Sequence, residues 1–443
     1  MNTQVLRMCL SGIGLLAFAL AEPARAQADM QAILERLEKL EKQNSELLAE
    51  IRALRAAVSR QEEKTITPDA VQEQLEVHER RLEEQAQTKV ESGQKQSIRL
   101  TGMVLFNAFR NTSRYTGGLD NPTIASLDEG PRTGGGTVRQ SIVGLEMHGG
   151  QFLGARLSGS LRADFFQGTA STLNQLFRMR TATMTLDWKN TSLMAGQEKP
   201  IFSPRDPTSL ATVGVSPLTN AGNPWIWGPQ IRLEQRFQLA DETSFRAQVG
   251  VMQTSEGGAT VPQAFAPTLE RARPALQGRF ELKHKRLEIA PGFHWSRTHV
   301  AGTSLPSVLG SVDWFYSPWS KLEFTGLLYT ASNIANLGTL RQGFTIFGPG
   351  DAAAVRSRGG WAQLALLPTS RLSFHFFAGQ QDDNNGDIQH RGFSRNLAYA
   401  GNVMYRVSTN FIVAFERGEV RTTYLPGGLR RNGRYDLAFA YLF

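Results

Sequence analysis

The chain changes its period once. From Met30 to Gln61 apolar residues recur in steps of three and four, and beyond residue 97 they recur at every second position. The first spacing lines up one stripe on a helix and the second one face of a strand, so the pattern predicts a helical segment followed by a large body of sheet. In the helical part Met30, Leu37, Asn44, Ile51 and Val58 occupy heptad positions a, and Ile33, Leu40, Leu47, Leu54 and Gln61 positions d. A seam this narrow predicts a coiled coil over residues 27–96, with Leu37, Leu40, Asn44, Leu47, Ile51 and Leu54 holding subunits together. After Lys64 the pattern breaks at "TITPD", where Pro68 can open a second helix, and residues 91–97 read as a polar hinge.

The number of subunits is written less plainly. Asn44 at an a position fixes register and parallel orientation at a cost in stability, and such an asparagine often accompanies dimers. The stretch "RLEKLE", Arg36 to Glu41, instead resembles a signature of three-stranded coiled coils, and on it the expected assembly is a homotrimer.

Beyond the hinge, alternation marks strands near 98–110, 138–148, 155–166, 175–188, 191–198, 230–239, 242–253, 274–284, 286–298, 306–316, 320–332, 355–367, 370–381, 393–406, 409–421 and 431–443. In "QIRLEQRFQL" Ile231, Leu233, Phe237 and Leu239 fall on one side, and Arg232, Glu234, Arg236 and Gln238 on the other. Two packed sheets would bury their apolar faces against each other, whereas a strand with arginine opposite its apolar face needs water or an anionic partner there. An even number of antiparallel strands, with tight links such as "HKR" and "VST" alternating with long Gly/Asn/Pro-rich ones, predicts a transmembrane β-barrel over residues 97–443. The chain ends on "YDLAFAYLF", with Tyr435, Leu437, Phe439, Tyr441 and Phe443 at alternate positions. That face suits a closing strand in lipid, and it resembles the C-terminal signal read by the barrel-assembly machinery of the outer membrane.

Composition narrows the setting. No 18-residue apolar run follows the N-terminus, which argues against a helical membrane protein. Residues 1–26 read as a secretory signal peptide: Arg7 is basic, Leu10 to Ala21 apolar, and Ala24-Arg25-Ala26 a cleavage motif. The only cysteine, Cys9, lies inside it, so neither disulfides nor thiol chemistry is expected of the exported part. Residues 27–96 are acidic by 4 and residues 97–443 basic by 11. An exported chain has little access to nucleic acid, so the basic surplus is assigned to a membrane surface, an anionic solute or an aqueous channel.

Two features bear on what would pass through such a channel. From Gln197 to Gln230 no strand pattern appears, and six prolines stiffen the stretch. A segment of this length is usually functional. It fits either a constriction folded into the lumen, with Arg205 and Asp206 at its narrowest point, or an outer loop packed at a subunit contact through Trp225 and Trp227. Residues 97–443 also hold 30 Arg against 5 Lys. Guanidinium groups bind carboxylates and phosphates in bidentate geometry and keep their charge in confined sites. With apolar residues outward, Arg162, Arg178, Arg180, Arg232, Arg236 and Arg246 should point inward on adjacent strands and favour anions, although Asp164, Glu198 and Glu234 stand close enough in sequence to neutralise part of the set.

The succession "RQSIVGLEM", "LRADFF", "MAGQEKPIF" and "NPWIWGPQIRLEQRF", behind a signal peptide and a coiled coil, resembles the DcaP-like trimeric porins over nearly the whole mature chain. The resemblance implies a trimeric channel with a periplasmic coiled coil, taking up small organic anions such as dicarboxylates. Arg139, Gln140, Asp164, Gln197 and Arg232 stand in the matching motifs. No G-x-S-x-G, H-E-x-x-H, C-x-x-C or phosphate-loop motif occurs, so no enzyme, metal or cofactor is expected. "DDNNGD" (382–387) lacks the twelfth-position glutamate of a calcium loop. The alternative of another class is a trimeric anchor whose residues 27–96 tether the outer membrane to the cell wall, with little channel activity.

Overall fold

The computed structural model describes residues 97–443, apart from 114, 119, 129, 168–174, 256–260, 270–271, 341 and 389–391. The signal peptide, the coiled coil with Leu37 to Leu54 and the polar hinge up to residue 96 lie outside the described residues.

Sixteen antiparallel strands form the body. They are β1 (Ser97–Asn111), β2 (in two segments, Thr133–Thr137 and Ile142–Phe152), β3 (Ala155–Gln167), β4 (Leu176–Asp187), β5 (Thr191–Glu198), β6 (Gly228–Ala240), β7 (Thr243–Ser255) and β8 (Ala272–His284). There follow β9 (Leu287–Val300), β10 (Thr303–Trp319), β11 (Leu322–Ser332), β12 (Arg356–Leu366), β13 (Leu372–Asp383), β14 (Phe393–Arg406), β15 (Phe411–Tyr424) and β16 (Gly428–Leu442). Each strand pairs with its neighbours in sequence, and β1 pairs with β16 from Met103↔Leu442 to Asn111↔Arg434, so the sheet closes. Closure leaves no row of unpaired backbone groups, the condition for crossing a hydrocarbon layer with strands.

The alternation read from the sequence sorts the two faces of the wall. On β16, Tyr435, Leu437 and Tyr441 are exposed, whereas Asn432, Arg434, Asp436, Ala438 and Ala440 are buried. The outward set includes Ile98, Leu100, Val104, Ile231, Leu233, Trp295, Trp319 and Phe415. Such a surface belongs in lipid. The seam depends on Gly102, whose amide donates to the carbonyl of Phe443 at 2.9 Å. A Cβ at residue 102 would stand 2.5 Å from the Phe443 ring, so only glycine lets the terminal aromatic lie over the first strand.

Two expectations need correction. The second strand was expected over 138–148, but residues 138–141 leave the ladder as a turn, with the Ser141 amide donating to the Val138 carbonyl at 3.0 Å. The break swings Arg139 and Gln140 into the interior, where both are buried and hydrogen-bonded. The expected alternation of tight and long links also fails in part. At the end that carries Phe443 every link is tight; at the opposite end most are long, but 301–302 and 425–427 are tight as well. A hairpin, Phe344–Gly348 with Asp351–Ala354, leans over the first of these, and the Gly350 amide donates to the Ala301 carbonyl at 2.6 Å.

Candidate functional site

The proline-rich segment between β5 and β6, residues 199–227, lies inside the barrel. Its apolar residues Phe202, Leu218 and Ala221 join one cluster with Leu327, Tyr329, Trp361 and Phe377 of the wall. Gly222 (φ 95°) permits a close approach of loop to wall, since a Cβ there would lie 2.2 Å from the carbonyl oxygen of Gly360. Trp225 is buried against the segment 333–340, its amide donating to the Leu337 carbonyl at 3.0 Å. Of the two readings left open by the sequence, the luminal one holds.

Polar side chains of the wall fasten the same loop. The Gln140 carbonyl oxygen accepts from the amides of Val213 at 2.7 Å and Gly214 at 2.8 Å. Its amide nitrogen donates to Ala211 O and to Asn107 Oδ1. Further round the wall, Gln277 accepts from the Ile201 amide, Gln363 from the Thr208 amide, and Asn402 donates to the Thr208 carbonyl. Glu416, buried on β15, accepts from Ser209 Oγ at 2.6 Å and from Asn402 at 3.0 Å. Loop backbone without secondary structure would otherwise leave its polar groups unsatisfied in the lumen, and these side chains supply the partners.

The arginines singled out by sequence all face inward, but they divide by partner. Arg178 binds Asp164 in bidentate fashion at 3.0 and 2.6 Å, and Arg180 reaches the same carboxylate at 3.3 Å. Both also donate to the loop, Arg180 to Val213 O at 2.8 Å and Arg178 to Gly214 O. The guanidinium of Arg180 lies 4.6 Å from the Trp227 ring centroid and that of Arg178 5.3 Å, a stacking that leaves edge N–H groups available. Arg162 is more than half exposed, with Glu146 at 3.6 Å. Arg232, between Met194 of β5 and Gly250 of β7, forms no ion pair among the described residues.

The other members are neutralised. Arg205 leaves the loop to bind Asp313 at 2.6 Å and Glu288 on the wall. Arg246 holds Glu281 at 2.6 Å, and Arg236 holds Asp187 at 2.7 Å near the Phe443 end. Asp206 does not stand beside Arg205 in a constriction; it turns to Lys199 and Asn223 within the loop. Of the expected neutralising acids, Asp164 and Glu234 do engage arginines, and Glu198 caps the Lys199 amide. Sequence reasoning missed Arg279 and Asp313, a fully buried bidentate pair at 2.7 and 2.8 Å, and Asp120 beneath Arg139 at 2.6 and 2.7 Å. A signal existed for the first: Gln277, Arg279 and Glu281 alternate with Leu276, Phe280 and Leu282, and Asp313 is the one acid amid "SVDWFY".

No family model and no curated protein sequence matches the chain. Solved structures do. The outer membrane channel DcaP of Acinetobacter baumannii superposes with a TM-score of 0.65 over 79% of this chain and 97% of that one, at 15% identity. The barrel has the fold of that channel. An anion-selective porin from Comamonas acidovorans follows at a TM-score of 0.54, 13% identity and coverage of 79% and 100%. The likeness is one of fold, a closed antiparallel wall around a lumen.

Proposed function

We propose that the protein is an outer-membrane porin, a homotrimeric passive channel for small hydrophilic solutes that favours organic anions such as dicarboxylates. One observation carries the preference: on β3 to β6 three inward arginines share one buried carboxylate or have none, with Arg178 and Arg180 on Asp164 and Arg232 unpaired among the described residues. A lumen wall with surplus fixed positive charge raises the local anion concentration and repels cations. Arg180 and Arg178, braced by Trp227 at 4.6 and 5.3 Å from its ring centroid, are already held in place, so a carboxylate meeting their remaining N–H groups costs little further side-chain entropy. The names of the two neighbours, a channel and an anion-selective porin, accord with this reading. The trimer rests on "RLEKLE", the outer-membrane address on the closing strand from Tyr435 to Phe443, and the periplasmic placement of residues 27–96 on the heptads.

The test is the reversal potential of the purified protein in a planar bilayer under a salt gradient. Anion preference with closure in equal steps is expected. Arg232→Ala should move the potential toward zero while leaving thermal stability within about 0.5 kcal/mol, because no partner is stranded. A cation-selective pore, or an unchanged potential in the variant, would show the arginines to be structural; absence of conductance would favour the tether.

A further inference from the structure

The outside of the barrel carries a second set of arginines, confined to one sector. Strand register maps it row by row. Toward the Phe443 end, Val403, Phe415 and Leu437 form an apolar outward row across β14 to β16, with Tyr405, Val413 and Phe439 in the row below it. The next such row reads Phe376, Gly401, Arg417, Tyr435 and Arg110, from β13 round to β1. Beyond it come Tyr399 with Glu419, then Arg421 with Arg431, then Arg358, Asp382 and Arg395. These residues share the outward parity of Phe376, Phe415, Tyr435 and Leu437, which are exposed. The change from hydrocarbon-compatible to basic is therefore made within one row, at the level of Tyr435.

The charges in this sector do not cancel. With Arg356 at the rim, seven arginines face three carboxylates: Asp387 binds Arg356 at 2.8 Å, Asp382 binds Arg395 at 3.2 Å and Arg358 at 3.3 Å, and Glu419 binds Arg421 at 2.6 Å. Arg110 and Arg431 are exposed and form no ion pair among the described residues. Two guanidinium groups are braced by outward tyrosines, Arg417 lying 4.8 Å from the Tyr435 ring centroid and Arg421 donating to Tyr399 Oη at 2.9 Å. On β2 to β11, Arg297 is the outward cation near that end among the described residues.

We infer that this sector binds the phosphorylated headgroup of an outer-leaflet glycolipid. The inference rests on the porin reading, because it places the long-loop end at the outer leaflet. Headgroup phosphates lie just above the hydrocarbon boundary, the height at which these arginines begin, and their planar forks match phosphate oxygens in pairs. Lysine does not occur in the sector, so recognition by geometry as well as charge is built in.

The test uses the full protein, stripped of lipid in detergent, and native mass spectrometry with a bis-phosphorylated lipid A, its dephosphorylated form, and inorganic phosphate. The wild type should retain the bis-phosphorylated lipid and not the dephosphorylated one. Arg110→Gln/Arg417→Gln/Arg431→Gln should weaken retention roughly a hundredfold, taking each arginine at such a surface as about a factor of five. The milder Arg110→Gln/Arg431→Gln, which breaks no ion pair, should lose part of it and guards against a folding defect. Equal retention by both variants, equal binding of the dephosphorylated lipid, or a variant-sensitive site for inorganic phosphate alone would overturn the inference. So would dissociation of the oligomer with lipid retention intact, which would mean that a second copy covers the sector. Bilayer selectivity of the same variants reads the porin proposal separately, since these side chains face away from the lumen.

Discussion

Two arginine clusters inside one barrel differ in what stands beside them. On β3 and β4, Arg178 and Arg180 divide a single buried carboxylate, Asp164, and lean on Trp227. On β7 to β10 and the loop, the arginines Arg205, Arg246 and Arg279 meet Glu281, Glu288 and Asp313, three against three, with Arg205 2.6 Å from Asp313, Arg246 2.6 Å and Arg279 2.7 Å from Glu281, and Arg279 2.7 and 2.8 Å from Asp313. Residue type and inward direction are alike in both. What distinguishes a surplus that can act on a solute from a neutral knot that holds the loop is the acid opposite, and that acid sits on another strand.

The sharpest way to separate them is to remove an acid from the neutral knot. Asp313→Ala would leave Arg279, 1% exposed, without its bidentate partner. Breaking a buried pair on one side costs about 3–5 kcal/mol, because the remaining charge stays desolvated. The expected result is a large drop in the unfolding midpoint of the refolded barrel in denaturant. A drop no larger than that of Arg232→Ala would erase the distinction.

A middle-sized effect concerns the loop rather than the charge. Gln140→Ala removes five hydrogen bonds, three with the loop at Val213, Gly214 and Ala211 and two with Asn107 and Asn121. At about 1 kcal/mol net each, less what water restores, the loop should loosen by about 2 kcal/mol without the wall opening. Single-channel recordings should show a larger or noisier conductance with the unfolding midpoint changed less than in Asp313→Ala. Quiet, unchanged channels would mean that the apolar contacts of Phe202, Leu218 and Ala221 hold the loop unaided.

Gln140 also marks the boundary of what the sequence makes legible. Period two survives along most of the wall because a lipid-facing surface enforces it residue by residue, and so the strand count, the inward direction of the six strand arginines and the closing role of "YDLAFAYLF" could be read directly. The interruption at 138–141 could not, because Arg139 and Gln140 leave the ladder for partners, Asp120 and the loop, that lie far along the chain. The same applies to the arginines. Inward direction is a local property, whereas neutralisation depends on register between strands and on a loop path that no periodicity records, which is why Arg205 and Asp206 were expected together and are found apart.

The smallest effect tests the edge of the comparison, where the Phe443 end opens to water. Asp187 accepts from Arg236 at 2.7 Å and from Arg156 at 3.3 Å, which repeats the two-to-one ratio of Arg178 and Arg180 on Asp164. Here, however, Arg156 is 80% exposed and Asp187 27%, so solvent and salt screen the pair. Exposed ion pairs are worth about 0.2–1 kcal/mol, and Arg156→Ala should fall at the bottom of that range, with Arg236→Ala slightly above it because Arg236 also donates to the Trp188 carbonyl. Neither should move the reversal potential by as much as Arg232→Ala. If Arg236→Ala shifted selectivity more than Arg232→Ala, the ratio of arginines to acids would not be what sets the preference, and position along the lumen would have to take its place.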